Sequence, residues 1–213
     1  MSNLLLIDST SSKIEFAAYV NEQEIFRYEL DSTENADTLI YRISLLAKEN
    51  SFPLSDLNFV SIANGPGSFT GLRISSAIAK ALCFSSGAKL IEINSLDILA
   101  NKSETDKQIV SLIFSNMRTK EFYYAKYKKD ETLERISEYE TGVLEDIFNK
   151  EDFFISSNEV EGFDLHCSGS SSLDSLKELT GKYILQNKFS DYNISEPFYM
   201  KDFVPLKSQK KLL

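Results

Sequence analysis

The chain has 213 residues, 42% of them hydrophobic and 26% charged, which suits one large core or two small ones. Its formal net charge is -9. That speaks against nucleic acid as its sole partner, because phosphate contacts dominate such affinity and call for a basic surface.

Two local basic clusters remain: Lys126, Lys128 and Lys129, and Lys207, Lys210 and Lys211. They read either as anion patches or, more simply, as solvated faces. The two cysteines, Cys83 and Cys167, are far apart and form no CxxC site or disulfide framework. The stretch MSNLLLIDSTSS has no basic region and no long apolar run, so no signal peptide is expected there. No apolar run approaches the roughly 20 residues that span a bilayer. The expectation is a cytoplasmic protein with no membrane partner.

In chain order, NLLLID is a short apolar run ending at Asp8 and reads as a buried central strand. KIEFAAYV follows, with Ile14, Phe16, Ala18 and Val20 on one face, and the turn Asn21–Gln23 leads into EIFRYEL. These are three consecutive strands joined by tight turns. Ser32 or Thr33 then caps a helix whose first turn carries Glu34 and Asp37. Its apolar stripe is Leu39, Ile43, Leu46 and Ala47, and Pro53 closes the region. LNFVSIA is a fourth strand, and a helix from about Gly71 to Ser86 stops at Gly87. KLIEIN is a further strand, and Ser95 caps a short helix. The polar stretch Asn101–Gln108 marks a boundary, dividing the chain into units 1–103 and 104–213, with the tail of the second expected to pack back on the first.

The pattern then restarts. IVSLIF and EFYYAKY are strands, with a third around Arg135–Tyr139. VLEDIFNK is a short helix, DFFIS and DLHCS are strands, and SLDSLKELTG is a helix ended by Gly181. Three strands followed by alternating helices and strands, made twice, predict two facing α/β subdomains with a cleft between them. A single Rossmann domain is excluded, since DSTSS and NEQE are too short for crossover helices.

The segment NGPGSFTGLRI carries Gly65, Gly67 and Gly71 within seven residues. It lacks the GK[ST] ending of a P-loop, and Thr70 stands where a dinucleotide loop needs its third glycine. Two readings remain. An anion fits at the helix N-terminus, with Ser68 or Thr70 as donors. Alternatively the loop is a tight turn whose cap is Ser68 or Thr70. The following helix is thin, with Ser75, Ser76, Ala77, Ala79 and Ala81. Ile74, Ile78 and Leu82 form one apolar line; Ala77, Ala81 and Phe84 form a second. One side suits the chain's own sheet; the other suits either a partner or the monomer interior.

GPGSFTGLRI resembles the signature of the bacterial TsaB (YeaZ) family, the non-catalytic subunits of the tRNA threonylcarbamoyladenosine system. LLIDST is similar to that family's opening strand. SNMRTKEFYYAKY resembles its DARxxEVYxAxY segment through Arg118, Glu121 and Tyr123, and EPFYMKDFV its C-terminal Pro-x-Tyr segment through Pro197 and Tyr199. The resemblance implies the actin-like/sugar-kinase/Hsp70 ATPase fold, with two subdomains each beginning with three strands. It implies pairing with a catalytic paralogue, TsaD, through the first subdomain, a small ATPase, TsaE, as a further partner, homodimers in isolation, and only indirect contact with tRNA. The expected partner or dimer face holds Asn35, Leu39, Ile40, Ile43, Ser75, Ala77 and Ile78. The expected nucleotide or anion contacts are Asp8, Ser9, Gly65, Gly67, Ser68 and Thr70, with no cofactor of its own and ATP or ADP at the contact with the paralogue. Asn35 departs from the family's usual His, and Asn116 from the Asp of DAR.

The chain's one histidine, His166, rules out the paired HxxxH metal site of the catalytic paralogue. His166 reads as structural. Asp8 keeps two readings. It is a metal–phosphate ligand of an active ATPase or phosphotransferase, or a carboxylate that accepts turn N–H bonds. The equivalent turn of the second half, FSNMRTKEF, has no glycine, which favours a catalytically silent subunit.

Overall fold

The computed structural model describes residues 2–30, 38–116, 118–160, 163, 165–167 and 171–200. Strand β1 (Asn3–Asp8) is buried over Leu4–Asp8 because it lies at the centre of a sheet covered on both faces. It pairs antiparallel with β2 (Glu15–Val20), which pairs with β3 (Gln23–Glu29). Asn21 and Glu22 close the β2–β3 turn with φ of 47° and 70°, the left-handed pair that suits a two-residue hairpin. Helix α1 (Leu39–Glu49) leads to β4 (Phe59–Ala63), α2 (Phe69–Ser86) and β5 (Lys89–Ile93). The first sheet has the order β3-β2-β1-β4-β5, with β4 and β5 parallel to β1.

After α3 (Ser95–Asn101) the second half repeats the scheme. Strands β6 (Ile109–Asn116) and β7 (Glu121–Lys129) form an antiparallel pair. The expected third strand at Arg135–Tyr139 is two pieces, β8 (Leu133–Arg135) and β9 (Glu140–Val143), both on β7. The ladder breaks between them because Tyr139 turns its hydroxyl to Asp97 on α3, at 2.9 Å. Helix α4 (Leu144–Ile147), β10 (Phe153–Ser156) and β11 (His166–Cys167) follow, with β10 and β11 parallel to β6. Two sheets of this order give the actin-like fold expected from the sequence.

Four apolar clusters build the core, and two of them join the halves. Leu5, Ile7, Phe16 and Ala18 meet Leu39 and Ile43 of α1 and Ile78, Ala79 and Leu82 of α2. The opposite face, with Leu4, Leu6, Ala17 and Tyr19, takes Leu173, Leu176 and Leu179 of α5 (Leu173–Leu185). Each fully buried leucine or isoleucine contributes about 1.5–3 kcal/mol. Helix α3 sits between the sheets, with Ile98 against the first and Leu96, Leu99 and Ala100 against the second. The far face of the second sheet packs Val110, Leu112, Phe122 and Phe154 around Leu144 and Val160.

Three boundaries differ from the sequence reading. The described part of the first helix begins at Leu39 with Thr38 in the N-cap position, and the expected caps, Ser32 and Thr33, lie outside the described residues. Helix α2 starts at Phe69, because Ser68 supplies the cap. Asn94, not Ser95, caps α3, its side-chain oxygen accepting from the N–H of Leu96 at 2.9 Å. Helix α5 runs past Gly181 to Leu185, since Tyr183 and Ile184 pack on the first sheet. That packing outweighs the roughly 1 kcal/mol that an internal glycine costs a helix.

Candidate functional site

The glycine loop and the turn after β1 are built as one object. Asp8 Oδ1 accepts the N–H of Thr10 at 2.8 Å and its hydroxyl at 2.7 Å. That fixes a tight Asx turn. The carbonyl of Thr10 then accepts the N–H of Ser68 at 2.7 Å, and the hydroxyl of buried Ser9 donates to the carbonyl of Gly71 at 2.8 Å. A Cβ at Gly71 would lie 1.9 Å from the Ser9 carbonyl oxygen, and one at Gly67 would lie 2.4 Å from that of Thr10. Side chains are therefore excluded at both positions, and the glycines admit a neighbouring backbone. Gly65 takes φ of 96°, and its carbonyl accepts the N–H of Ser95 at 2.8 Å.

The helix terminus is also satisfied from within. Ser68 Oγ accepts the N–H of Gly71 at 3.2 Å, and the Ser68 carbonyl accepts that of Leu72 at 2.9 Å. Of the expected anion contacts, Asp8, Gly67 and Ser68 line a cleft of about 600 Å³ between the two sheets. Ser9 and Gly65 do not qualify: both are buried, and the Ser9 hydroxyl is bonded to Gly71. Thr70 stands exposed in the first turn of α2, not at its cap.

Across the cleft stand Ser115 of β6, Ser157 and Asn158 after β10, and Lys102 after α3. Burial holds the Lys102 ammonium below its usual range, opposed by Asp8, Glu15 and Asp174. Glu15 Oε2 accepts the N–H and hydroxyl of Ser172 at 3.1 and 3.2 Å. Asn116 does in the second half what Asp8 does in the first: its Oδ1 accepts the N–H two residues on, at Arg118, at 3.0 Å. Beside the cleft, Asp97 takes the hydroxyls of Tyr127 and Tyr139 at 2.8 and 2.9 Å. Burial pushes the Asp97 carboxyl above the ordinary aspartate range and both phenols upward.

The expected partner face divides. Leu39, Ile43, Ser75 and Ile78 are buried in this chain's own core, so they cannot meet a partner directly. Ser75 donates its hydroxyl to Gly71 and Leu72 carbonyls instead. Ile40 and Ala77 are exposed, and Asn35 lies outside the described residues. On α2 the second apolar line, Ala77, Ala81 and Phe84, faces outward, with Phe84 78% exposed. Buried Cys83 lies on the inner side, where burial pushes its thiol up to about 11.

The tail of the second unit, expected to pack back on the first, is described to residue 200, and its strap at 186–200 returns along the open edge of β5 and beside α2. Ser190 donates to the Leu90 carbonyl at 2.9 Å, and the Ser195 hydroxyl to Glu92 at 2.6 Å. Lys80 Nζ donates to the Ser195 carbonyl. Phe198 bonds the Asn64 carbonyl through its N–H at 3.0 Å and stacks edgewise on Tyr139 at 5.5 Å. Pro197 and Tyr199 had marked this segment by resemblance, but an irregular strap has no periodicity to betray its course. No helix among the described residues is long and apolar enough to cross a membrane.

A family model described as "TsaD: tRNA N6-adenosine threonylcarbamoyltransferase" matches residues 30–168. The tRNA threonylcarbamoyladenosine biosynthesis protein TsaB of Buchnera aphidicola (subsp. Acyrthosiphon pisum) is 30% identical over 68% of this chain and 66% of its own length. The protein of the same name from Escherichia coli is 25% identical over 60% of this chain and 56% of its own. The matched region thus spans two thirds or less of these relatives. The solved structure of YeaZ from Pseudomonas aeruginosa superposes with a TM-score of 0.76, at 18% identity, over 94% of this chain and 100% of that one. The last likeness is one of fold.

Proposed function

The chain belongs to the TsaB/YeaZ family, and from that premise we propose that it is a non-catalytic subunit in threonylcarbamoyladenosine formation on tRNA. It binds a TsaD-like catalytic paralogue through the outer face of α1 and α2 and holds it in a working state. A TsaE-like small ATPase joins the complex. ATP or ADP binds at the shared contact and not as a cofactor of this chain, and tRNA is reached through the paralogue. In isolation the same face pairs two copies, since large exposed apolar surface rarely stays bare. The chain works in the cytoplasm, where tRNA is modified.

The observation that carries the reading is the outward line Ala77, Ala81 and Phe84 on α2. Small residues flanking a large apolar one permit close approach of another helix. Silence in catalysis is supported by Asp8, whose Oδ1 is held by two Thr10 donors, and by the glycine-free turn after β6. The test is reconstitution. Synthetase, paralogue, small ATPase and tRNA are combined with and without this chain, and modified adenosine is measured. Formation should require the chain, and Ala77→Arg should abolish both co-purification with the paralogue and product. Equal product without the chain would refute the role. The alternative, an active ATPase using Asp8, would be established by ATP hydrolysis of the purified chain that Asp8→Ala removes.

A further inference from the structure

The signature segment divides into residues with inward and outward tasks. Gly65, Gly67, Gly71, Ser68 and Leu72 serve the fold, as their contacts with the first hairpin and helix show. Phe69, Thr70 and Arg73 point outward, and the core does not need them. Arg73 nevertheless sits in a made-to-measure setting. Its guanidinium lies over the Phe69 ring at 4.0 Å, and its Nε donates to the Tyr199 hydroxyl at 3.3 Å. The Phe69 and Tyr199 rings meet at a tilt of 35°, with centroids 5.2 Å apart. Helix and strap thus hold one cation flat and exposed, and no carboxylate is within ion-pair distance of it among the described residues.

We propose that Arg73 is the docking anchor for a carboxylate on the protein partner, with Phe69 and Tyr199 as its positioning residues. This rests on the reading that α2 faces the paralogue. Arginine and tyrosine are the residue types that most often dominate interface energy, and a pre-oriented fork loses little entropy on pairing. Spacing places Phe69, Arg73, Ala77, Ala81 and Phe84 on one side of α2. Exposed large apolar groups share that side: Phe69 and Phe84 on α2, with Tyr199 of the strap against Phe69.

Charge decides between a distinct partner and a second copy. Helix α2 carries Arg73 and Lys80 and no acidic residue, in a chain of net charge -9. A two-fold contact sets the same patch against itself, which brings cations together. The strap adds Asp191 and Glu196 against Lys188, so α2 and the strap together stay net positive. An acidic, apolar face on another protein fits the patch better than the patch fits itself.

The experiment measures binding of the full chain to the TsaD-like paralogue by calorimetry, at low and high salt. Arg73→Ala should weaken binding about 30-fold or more, Arg73→Glu should abolish it, and Tyr199→Phe should cost about threefold through lost orientation. Wild-type affinity should fall more steeply with salt than that of Arg73→Ala. Melting curves should be unchanged, since the side chain is exposed. Wild-type binding with Arg73→Glu unaffected would overturn the anchor and leave the functional reading standing. No binding by the wild type would overturn that reading itself. Loss of homodimers in Arg73→Glu with paralogue binding intact would assign the patch to a second copy, against the proposal.

Discussion

The turns that follow β1 and β6 begin alike and end differently. Asp8 and Asn116 each use a side-chain oxygen to take the N–H two residues on. In the first half that turn is pressed backbone to backbone against a glycine loop and α2, through contacts that carry no ionisable group. In the second half no described helix lies between β10 and β11. The nearby join to α3 is instead a carboxylate, Asp97, between two phenols. The same topology is thus fastened by close approach on one side and by a buried polar network on the other. The first fastening has no room for a methyl group at Gly71; the second turns on the charge of a buried carboxylate.

The largest effect expected from this contrast is at Gly71. A methyl there would overlap the Ser9 carbonyl, which is backbone and cannot swing aside. Gly71→Ala should therefore lower stability by about 3 kcal/mol or more, read from urea unfolding. A loss under about 1 kcal/mol would mean that the hairpin and loop separate easily. Ser9→Ala tests the same junction more gently. The Gly71 carbonyl keeps the Ser75 hydroxyl at 3.1 Å, so no acceptor is stranded and the loss should be about 1 kcal/mol.

Much of this fold was legible because its first half is regular. Leu4–Asp8 announces a central strand by its continuous apolar run, and Asn21–Gln23 a hairpin by its turn residues. The site was less legible. Helical spacing placed Ile43 and Ser75 on α1 and α2 but not inside or outside, because a helix covered by sheet on one side and by a strap on the other has two apolar lines. The glycines were visible, yet what they admit, the Ser9–Thr10 backbone, is about 60 residues away and leaves no local trace. Gly181 misled for a related reason: tertiary contacts of Tyr183 and Ile184 carry α5 past it. A methyl added at Gly181, unlike one at Gly71, would meet nothing within 4 Å. Gly181→Ala should raise stability by about 0.5–1 kcal/mol, and a thermal melt that falls instead would contradict a helical interior at this position.

The smallest effect separates the two junctions by pH. Burial raises the Asp97 carboxyl above its ordinary value of 3.8, against the opposing hydrogen bonds from Tyr127 and Tyr139. A raised acid binds its proton more tightly in the folded state. Its contribution is therefore fully present below the unfolded value and is lost as pH rises through the folded one. Asp97→Asn removes this titration while keeping an acceptor for one phenol. The stability of the variant relative to wild type should thus improve by a few tenths of a kcal/mol or more between about pH 4 and neutrality. Paired urea titrations at several pH values give that difference directly. Ser9→Ala, at the other junction, should show a difference from wild type that does not change with pH. If both differences moved together, the two halves would share one electrostatic coupling across α3, and the distinction between a backbone fastening and a carboxylate fastening would fall.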